Sequence, residues 1–162
     1  MKTTYIAILM LLLANTINAQ DALEITDFEI LNHTNWKGQL TYKDYQSGKM
    51  TSIDATMQIK LEGERILTSI QYTYEPNKNN NSSVKIKKKG TYFGNEKIIS
   101  NTLKNGKRTF VTTYEGRDNN QKATMYITHE FDDSTYKVTK QVMYQNSNER
   151  FVRNTYQFNN IQ

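Results

Sequence analysis

The sequence predicts an all-β fold, a single antiparallel up-and-down barrel of eight to ten strands. Apolar and polar residues alternate with a period of two over most of the chain, which is typical of half-buried strands. Short polar turns separate the alternating segments, and the chain has seven glycines, mostly at these turns, and one proline. A meander this long must close or leave exposed edges. The short connections favour closure, with a two-sheet sandwich as the alternative.

The first 19 residues have the features of a secretory signal peptide. Lys2 supplies a positive charge, residues 6–14 form the apolar run "IAILMLLLA", and the small residue Ala19 precedes Gln20. The run is shorter than the roughly 20 residues that a membrane-spanning helix needs. We therefore expect cleavage between Ala19 and Gln20, a secreted or periplasmic protein without a membrane span, and one domain over residues 20–162.

Composition excludes several classes of protein. The sequence has no cysteine, so a disulfide framework, a thiolate metal site and a cysteine nucleophile are excluded. The net charge is +5, and the basic residues are dispersed except in "KIKKKG" at residues 85–90. One short run lacks the clustered charge of a nucleic-acid-binding surface, so we interpret it as a solvated strand edge and expect no nucleic-acid partner. The sequence predicts no particular oligomeric state.

The alternation defines nine strands. In "TSIDATMQIKL", for example, Ile53, Ala55, Met57, Ile59 and Leu61 share one face. The strands lie near residues 36–45, 51–61, 65–74, 83–92, 96–103, 107–116, 122–131, 135–144 and 149–158. An antiparallel barrel closes with an even number of strands, so nine requires an adjustment. Either two weak strands merge near residues 83–103, or residues 23–31 ("LEITDFEIL") hide a tenth strand. The same segment fits a short helix that plugs one end of the barrel.

The only tryptophan stands at the start of the first strand. Trp36, Gly38, Leu40 and Tyr42 share one face, which places Trp36 inward at the barrel floor. This arrangement resembles the lipocalins and their calycin relatives, in the secreted bacterial form. These proteins carry a tryptophan on the first strand and often a basic residue on the last. The resemblance implies a barrel that holds a small apolar ligand.

The last predicted strand departs from the calycin pattern. Val152, Asn154, Tyr156 and Phe158 form its more apolar face, with Arg150 on the same side. Arg153 falls on the opposite face from Tyr156. The resemblance to fatty-acid-binding calycins, which hold a carboxylate with an arginine and a tyrosine on this strand, therefore does not extend to that site.

The inward faces are mostly apolar with a few polar groups, the usual composition of a small-molecule pocket. Thr68 and Thr112 are among these polar groups, and seven tyrosines supply apolar rings with polar tips. The tyrosines are Tyr42, Tyr72, Tyr74, Tyr114, Tyr136, Tyr144 and Tyr156. The predicted ligand-binding residues are Tyr42, Tyr72, Tyr114, His129, Lys140 and Asn154. The alternative is a filled barrel that acts through its outer surface as a protein-binding or inhibitory module.

Two of these residues carry specific hypotheses. His129 lies on an apolar strand face, so it is either an interior hydrogen-bonded histidine or, less favoured, the axial ligand of a haem. We otherwise expect no cofactor. Lys140 breaks the apolar pattern of its strand. It either meets an anionic ligand group inside the barrel or extends its ammonium into water at the rim.

No catalytic constellation is evident, and we expect a protein that is not an enzyme. Glu115, Arg117 and Asp118 share the polar segment "EGRDNN", but nothing in the sequence places them against a nucleophile or a second acid. With two histidines and no cysteine, a structural zinc site is not expected. A calycin-type isomerase is the least favoured alternative.

Overall fold

The computed structural model describes residues 22–162, and the predicted signal peptide and its cleavage site lie outside this range. Ten β-strands and two short 3₁₀ helices make up the described chain. The helices are Ile25–Leu31 and Pro76–Lys78. The strands are β1 (Thr34–Lys43), β2 (Met50–Glu62), β3 (Arg65–Tyr72), β4 (Asn80–Lys87), β5 (Tyr92–Phe93), β6 (Glu96–Lys104), β7 (Lys107–Asp118), β8 (Gln121–Phe131), β9 (Thr135–Tyr144) and β10 (Phe151–Asn160).

The strands form one closed barrel in which each strand pairs antiparallel with its sequence neighbours and β1 pairs with β10. The predicted all-β, up-and-down barrel is confirmed. Closure brings Trp36 opposite Asn160 and Gly38 opposite Phe158. Closure gives every strand a partner on both sides, although the two-residue strand β5 covers only a short part of the wall between β4 and β6.

The tenth strand arises inside the predicted strand at residues 83–92. The chain turns at Lys88, Lys89 and Gly90, which have φ values of 51°, 55° and 81°. This turn splits the segment into β4 and the two-residue β5. The alternative in which two weak strands merge is therefore wrong, as is a tenth strand within residues 23–31.

Residues 23–31 instead contain the 3₁₀ helix Ile25–Leu31, here named the plug helix. Ile25, Phe28 and Leu31 recur every three residues, which is the period of a 3₁₀ helix. Phe28 and Leu31 are each 1% exposed and belong to the main core cluster of the barrel. The alternative of a helix that closes one end is confirmed.

Aromatic side chains fill the barrel beside the plug helix, and we call this end the floor. Phe28 stacks on Phe93, with ring centroids 5.8 Å apart, and meets Phe110 and Phe131 at 5.9 and 5.3 Å. Trp36 is fully buried, and its indole Nε1 donates to Thr34 Oγ1 at 2.7 Å. The predicted inward position of Trp36 at the base is confirmed.

An ion pair fixes the plug helix to the wall. One oxygen of Asp27 accepts from Arg108 Nη2 of β7 at 2.5 Å, and the other accepts from the backbone N–H of Glu24 at 2.9 Å. Arg108 also donates to Asn101 Oδ1 at 3.1 Å. Because both ionic side chains are largely buried, the helix is held by specific polar contacts as well as by apolar packing.

Gly38 lets β1 and β10 approach closely. A Cβ placed on Gly38 would lie 1.9 Å from the backbone oxygen of Gln157. Any other residue would push the two strands apart at the seam that closes the barrel. The glycine two residues after Trp36 therefore has a structural role in closure.

The opposite end, here named the mouth, has an uneven rim. Residues 80–84 of β4 pair only with β3, and residues 114–118 of β7 pair only with β8. Within residues 22–162, no ladder joins these two stretches across the gap above β5. The lumen is therefore less enclosed at the mouth than at the floor.

Candidate ligand-binding site

A cavity of about 510 Å³ opens at the mouth of the barrel. Its size falls within the range of roughly 300–1,000 Å³ that is usual for small-molecule sites. It is lined by Leu40, Tyr42, Ile53, Tyr72, Glu75, Lys78, Asp118, Lys140, Arg153 and Asn154. Four of the six predicted site residues, Tyr42, Tyr72, Lys140 and Asn154, thus come together from four different strands. We call this space the mouth cavity.

Lys140 extends into the mouth cavity from β9. It lies opposite Asn154 on β10, and its Nζ is 5.9 Å from the centroid of the Tyr114 ring. No carboxylate of residues 22–162 lies within 4 Å of this ammonium. Lys140 therefore has no ion-pair partner among the described residues.

Glu96 is an interior acid that the sequence analysis missed. Its carboxylate accepts a hydrogen bond from Thr112 Oγ1 of β7, and Thr112 is fully buried. Burial raises the pKa of Glu96, against the lowering effects of the Thr112 hydrogen bond and the charge of Lys140. The available signal was strand parity, because Glu96 lies two residues before the buried Ile98 and so faces inward.

A second, smaller cavity of about 160 Å³ lies deeper in the lumen. Its walls are mostly apolar and include Thr68, as the inward parity predicts. They are formed by Met57, Ile66, Thr68, Ile70, Ser82, Val84, Phe93, His129, Tyr136, Val138, Tyr156 and Phe158. We call this space the inner cavity.

A pair of tyrosines lies between the two cavities. Tyr72 lines the mouth cavity, Tyr156 lines the inner cavity, and their hydroxyl oxygens are 2.6 Å apart. The two side chains come from β3 and β10, which are separated in the wall by β2 and β1. The residues on the intervening strands are small, since Tyr72 pairs with Ala55 and Ala55 pairs with Gly38. The hydrogen bond therefore crosses this side of the lumen.

His129 lies on the wall of the inner cavity, packed among aromatic rings. Its ring stacks on Phe110 at 4.4 Å, and its Nδ1 is 3.2 Å from the Tyr136 hydroxyl. Burial lowers the pKa of His129 to about 3, so the ring is neutral at physiological pH. The adjoining space of about 160 Å³ is well below the roughly 300 Å³ of an ordinary ligand pocket, so it does not fit a haem. The surroundings of His129 therefore favour an interior hydrogen-bonded histidine over a haem ligand.

Tyr114 lies beside the mouth cavity and does not line it. It packs against a small separate core of Ala123, Met125 and Val142, together with Tyr144 and Phe151. Its contact with the rest of the site is its ring, over which the Lys140 Nζ lies 5.9 Å from the centroid. Tyr114 therefore supports the position of Lys140.

A polar network on the rim joins three connections of the barrel. The Asp118 carboxylate accepts hydrogen bonds from the hydroxyls of Tyr45 and, at 3.1 Å, Tyr144. Arg153 stacks on the Tyr45 ring at 4.1 Å, and its Nε lies 3.5 Å from Asp118. Burial first, and then the Asp118 hydrogen bond, raise the pKa of Tyr45. The network holds the β1–β2 turn against the rim. The first strand was predicted to include Tyr45, but β1 ends at Lys43, so strand parity could not reveal this contact.

Three expectations for side-chain orientation are wrong. A β-bulge between Val152 and Asn154 reverses the parity of β10 before Asn154, so Val152 is 41% exposed and Phe151 packs inward, whereas Asn154, Tyr156 and Phe158 keep the expected face. The bulge also brings Arg153, expected on the outer face, to the mouth cavity. Tyr74 is 78% exposed because β3 ends at Tyr72.

The outer wall also carries a broad depression, of about 570 Å³, along β1, β2 and β10. Its polar side chains bond to one another, as Gln39 Nε2 does to Asp54 Oδ1 at 2.9 Å and Thr41 to Ser52 at 2.8 Å. These groups are already satisfied on an open strand face. We therefore place the candidate site in the lumen.

Residues 22–162 contain no group of three or more histidine, aspartate and glutamate side chains placed to hold a metal ion. Over the same residues, no helix combines the length and apolar character required to cross a membrane.

No protein-family model and no curated protein matches the chain. Among solved structures, it is similar to a protein of unknown function from the DUF3598 family of Nostoc punctiforme PCC 73102, with 15% sequence identity and a TM-score of 0.44. The similarity covers 92% of this chain and 53% of that protein, so this chain spans about half the length of its structural neighbour. The class that fold and site define is a closed ten-stranded antiparallel β-barrel with a cavity at its mouth.

Proposed function

We propose that this protein is an exported, lipocalin-like barrel that binds a small, largely apolar ligand in its lumen. The observation that carries the proposal is the mouth cavity of about 510 Å³, which combines an apolar wall of Leu40 and Ile53 with polar and charged groups, at one end of a barrel whose other end is filled. Apolar burial would supply most of the affinity, and the polar groups would orient the ligand.

The polar groups on the cavity wall differ in chemistry. Lys140 offers a charge, Asn154 an amide, and Tyr42 and Tyr72 offer hydroxyls. Leu40 and Ile53 form the adjacent apolar wall. No described pair of residues in the cavity has the arrangement of a nucleophile and its base, so we propose binding without catalysis.

The first test is native mass spectrometry of the protein purified from its own source. A co-purifying small molecule would identify the ligand class directly. A Soret absorption band in the same sample would contradict our placement of His129 as a neutral core residue.

The second test uses a pair of matched substitutions on β10. Asn154 faces the mouth cavity, whereas Asn159 is exposed on the outer face of the same strand. We expect Asn154→Phe to fill the cavity and abolish binding of 1-octanol in isothermal titration calorimetry, and Asn159→Phe to leave it unchanged. If neither the wild type nor Asn159→Phe binds 1-octanol or any co-purified molecule, the lumen proposal fails and the outer surface becomes the functional face.

A further inference from the structure

We infer that the ligand is an elongated anionic amphiphile, whose head group pairs with Lys140 in the mouth cavity and whose apolar chain passes the Tyr72–Tyr156 pair into the inner cavity. This inference rests on the proposed function and specifies the charge and shape of the ligand.

The register of β8, β9 and β10 orders the lumen into layers. Lys140 lies opposite Ile127 and Asn154, and the next inward layer contains Val138 with His129 and Tyr156. Two residues along a strand span roughly 6.7 Å. A head group held at Lys140 therefore places the following atoms of a ligand chain at the level of Tyr156 and the inner cavity.

The charges around Lys140 favour an anion. Of the other charged groups at the mouth cavity, Arg153 and Asp118 pair with each other, and Glu75 and Lys78 have opposite signs. Glu96 is the acid whose charge acts on Lys140, and it is engaged by Thr112. Lys140 therefore offers a cation without a carboxylate within 4 Å in the described chain, next to the amide of Asn154.

The depth of the lumen favours an extended chain. The inner cavity of about 160 Å³ is too small for a ligand of ordinary size, and the mouth cavity is too polar for a long apolar chain alone. A residue of each cavity meets the other at the Tyr72–Tyr156 hydroxyl contact. An aliphatic chain of small cross-section can separate these hydroxyls, whereas a rigid polycyclic ligand would clash with both rings.

The test compares three probes with the same eight-carbon chain: n-octyl sulfate, 1-octanol and octyltrimethylammonium, measured by isothermal titration calorimetry at pH 7. We expect n-octyl sulfate to bind about tenfold more tightly than 1-octanol and octyltrimethylammonium to bind most weakly, because a single charged hydrogen bond changes affinity by about this factor. Similar affinities for all three would overturn the anionic head group while leaving the lumen proposal intact. Absence of binding by any of them would count against both.

The matched variants are Lys140→Met and Lys137→Met. Both lie on β9, but Lys137 is exposed on the outer face beside Glu130. Lys140→Met should remove the tenfold preference for the sulfate, and Lys137→Met should preserve it. Equal losses in both variants would show that net surface charge attracts the probe, and would overturn the role of Lys140.

The path of the chain is tested by the double variant Tyr72→Phe, Tyr156→Phe. It removes both hydroxyls but keeps both rings, so n-octyl sulfate should bind severalfold more tightly while n-butyl sulfate, too short to reach the pair, should not change. The control Tyr126→Phe alters a tyrosine on the outer side of β8, beneath Arg150. An equal change for the four- and eight-carbon probes would overturn passage between the tyrosines.

Discussion

The two ends of the barrel differ in how completely side chains fill them. At the floor, Phe28, Phe110, Phe131 and Phe158 are each at most 1% exposed, and the plug helix completes the packing. At the mouth, the same strands present Lys140 and polar neighbours around open volume. Aromatic packing at one end therefore supplies the stability that allows the other end to remain incompletely filled.

The largest difference between the ends should appear in unfolding free energies. Phe110→Ala removes a fully buried ring that contacts Phe28, Phe93 and His129, and should cost about 3–5 kcal/mol in urea denaturation. Asn154→Ala at the mouth should cost less than about 1 kcal/mol. Similar costs at the two positions would contradict the division into a filled floor and an open mouth.

The ion pair of the plug helix should have the next largest effect. Asp27→Asn leaves the largely buried Arg108 without its counter-charge, and the Arg108 Nε already has no hydrogen-bond partner within the described residues. We expect a loss of about 2–4 kcal/mol by urea denaturation. Glu62→Gln, which breaks the exposed pair with Lys60, is the control and should leave the urea midpoint nearly unchanged, because exposed ion pairs contribute little to stability.

His129, in the aromatic packing beside the floor, makes the stability of the barrel depend on pH. Its pKa is lowered to about 3 in the folded state, against about 6.5 in the unfolded chain, so the unfolded state binds the extra proton between these values. The resulting stability is fully present above pH 6.5 and is lost as the pH falls toward 3. Between pH 6.5 and 4.5 this histidine should account for about 2–3 kcal/mol of lost stability.

The variant His129→Phe isolates that contribution. Urea midpoints measured at pH 7 and pH 4.5 should fall less for His129→Phe than for the wild type, because the carboxylates titrate in both proteins. Parallel decreases in the two proteins would show that His129 is not buried in its neutral form.

The smallest expected effect concerns the boundary between the cavities. Tyr72→Phe removes a hydroxyl that contacts Tyr156 at 2.6 Å and should cost about 1 kcal/mol in urea denaturation. Tyr126→Phe, on the outer wall, should have no measurable effect. A neutral result for Tyr72→Phe would indicate that the contact is not maintained in solution.

The sequence predicted the features that depend on regular strand parity. Alternation identified nearly all strands, the inward Trp36 and the inward Tyr42, Tyr72 and Lys140. The spacing of three residues between Ile25, Phe28 and Leu31 matches the period of the plug helix. These features could be predicted because burial of one face leaves a repeating signal in the sequence.

The features that escaped prediction depend on breaks in that regularity. The bulge between Val152 and Asn154 reverses the faces of Phe151 and Val152 and brings Arg153 to the mouth. The rim contact of Tyr45 with Asp118 joins residues 73 positions apart through a turn. Neither a bulge nor a long-range contact from a turn has a periodic signature, so both required the three-dimensional structure.

The most direct test of the open mouth and filled floor is a titration of isotope-labelled protein with 1-octanol, followed by amide chemical shifts in two-dimensional NMR. We expect the largest shifts at Tyr72, Val138, Lys140 and Asn154, with little change at Phe110 and Phe131 of the floor or at Lys37 and Gln39 of the outer wall. Shifts concentrated on the outer wall, or none at any of these amides, would contradict this expectation.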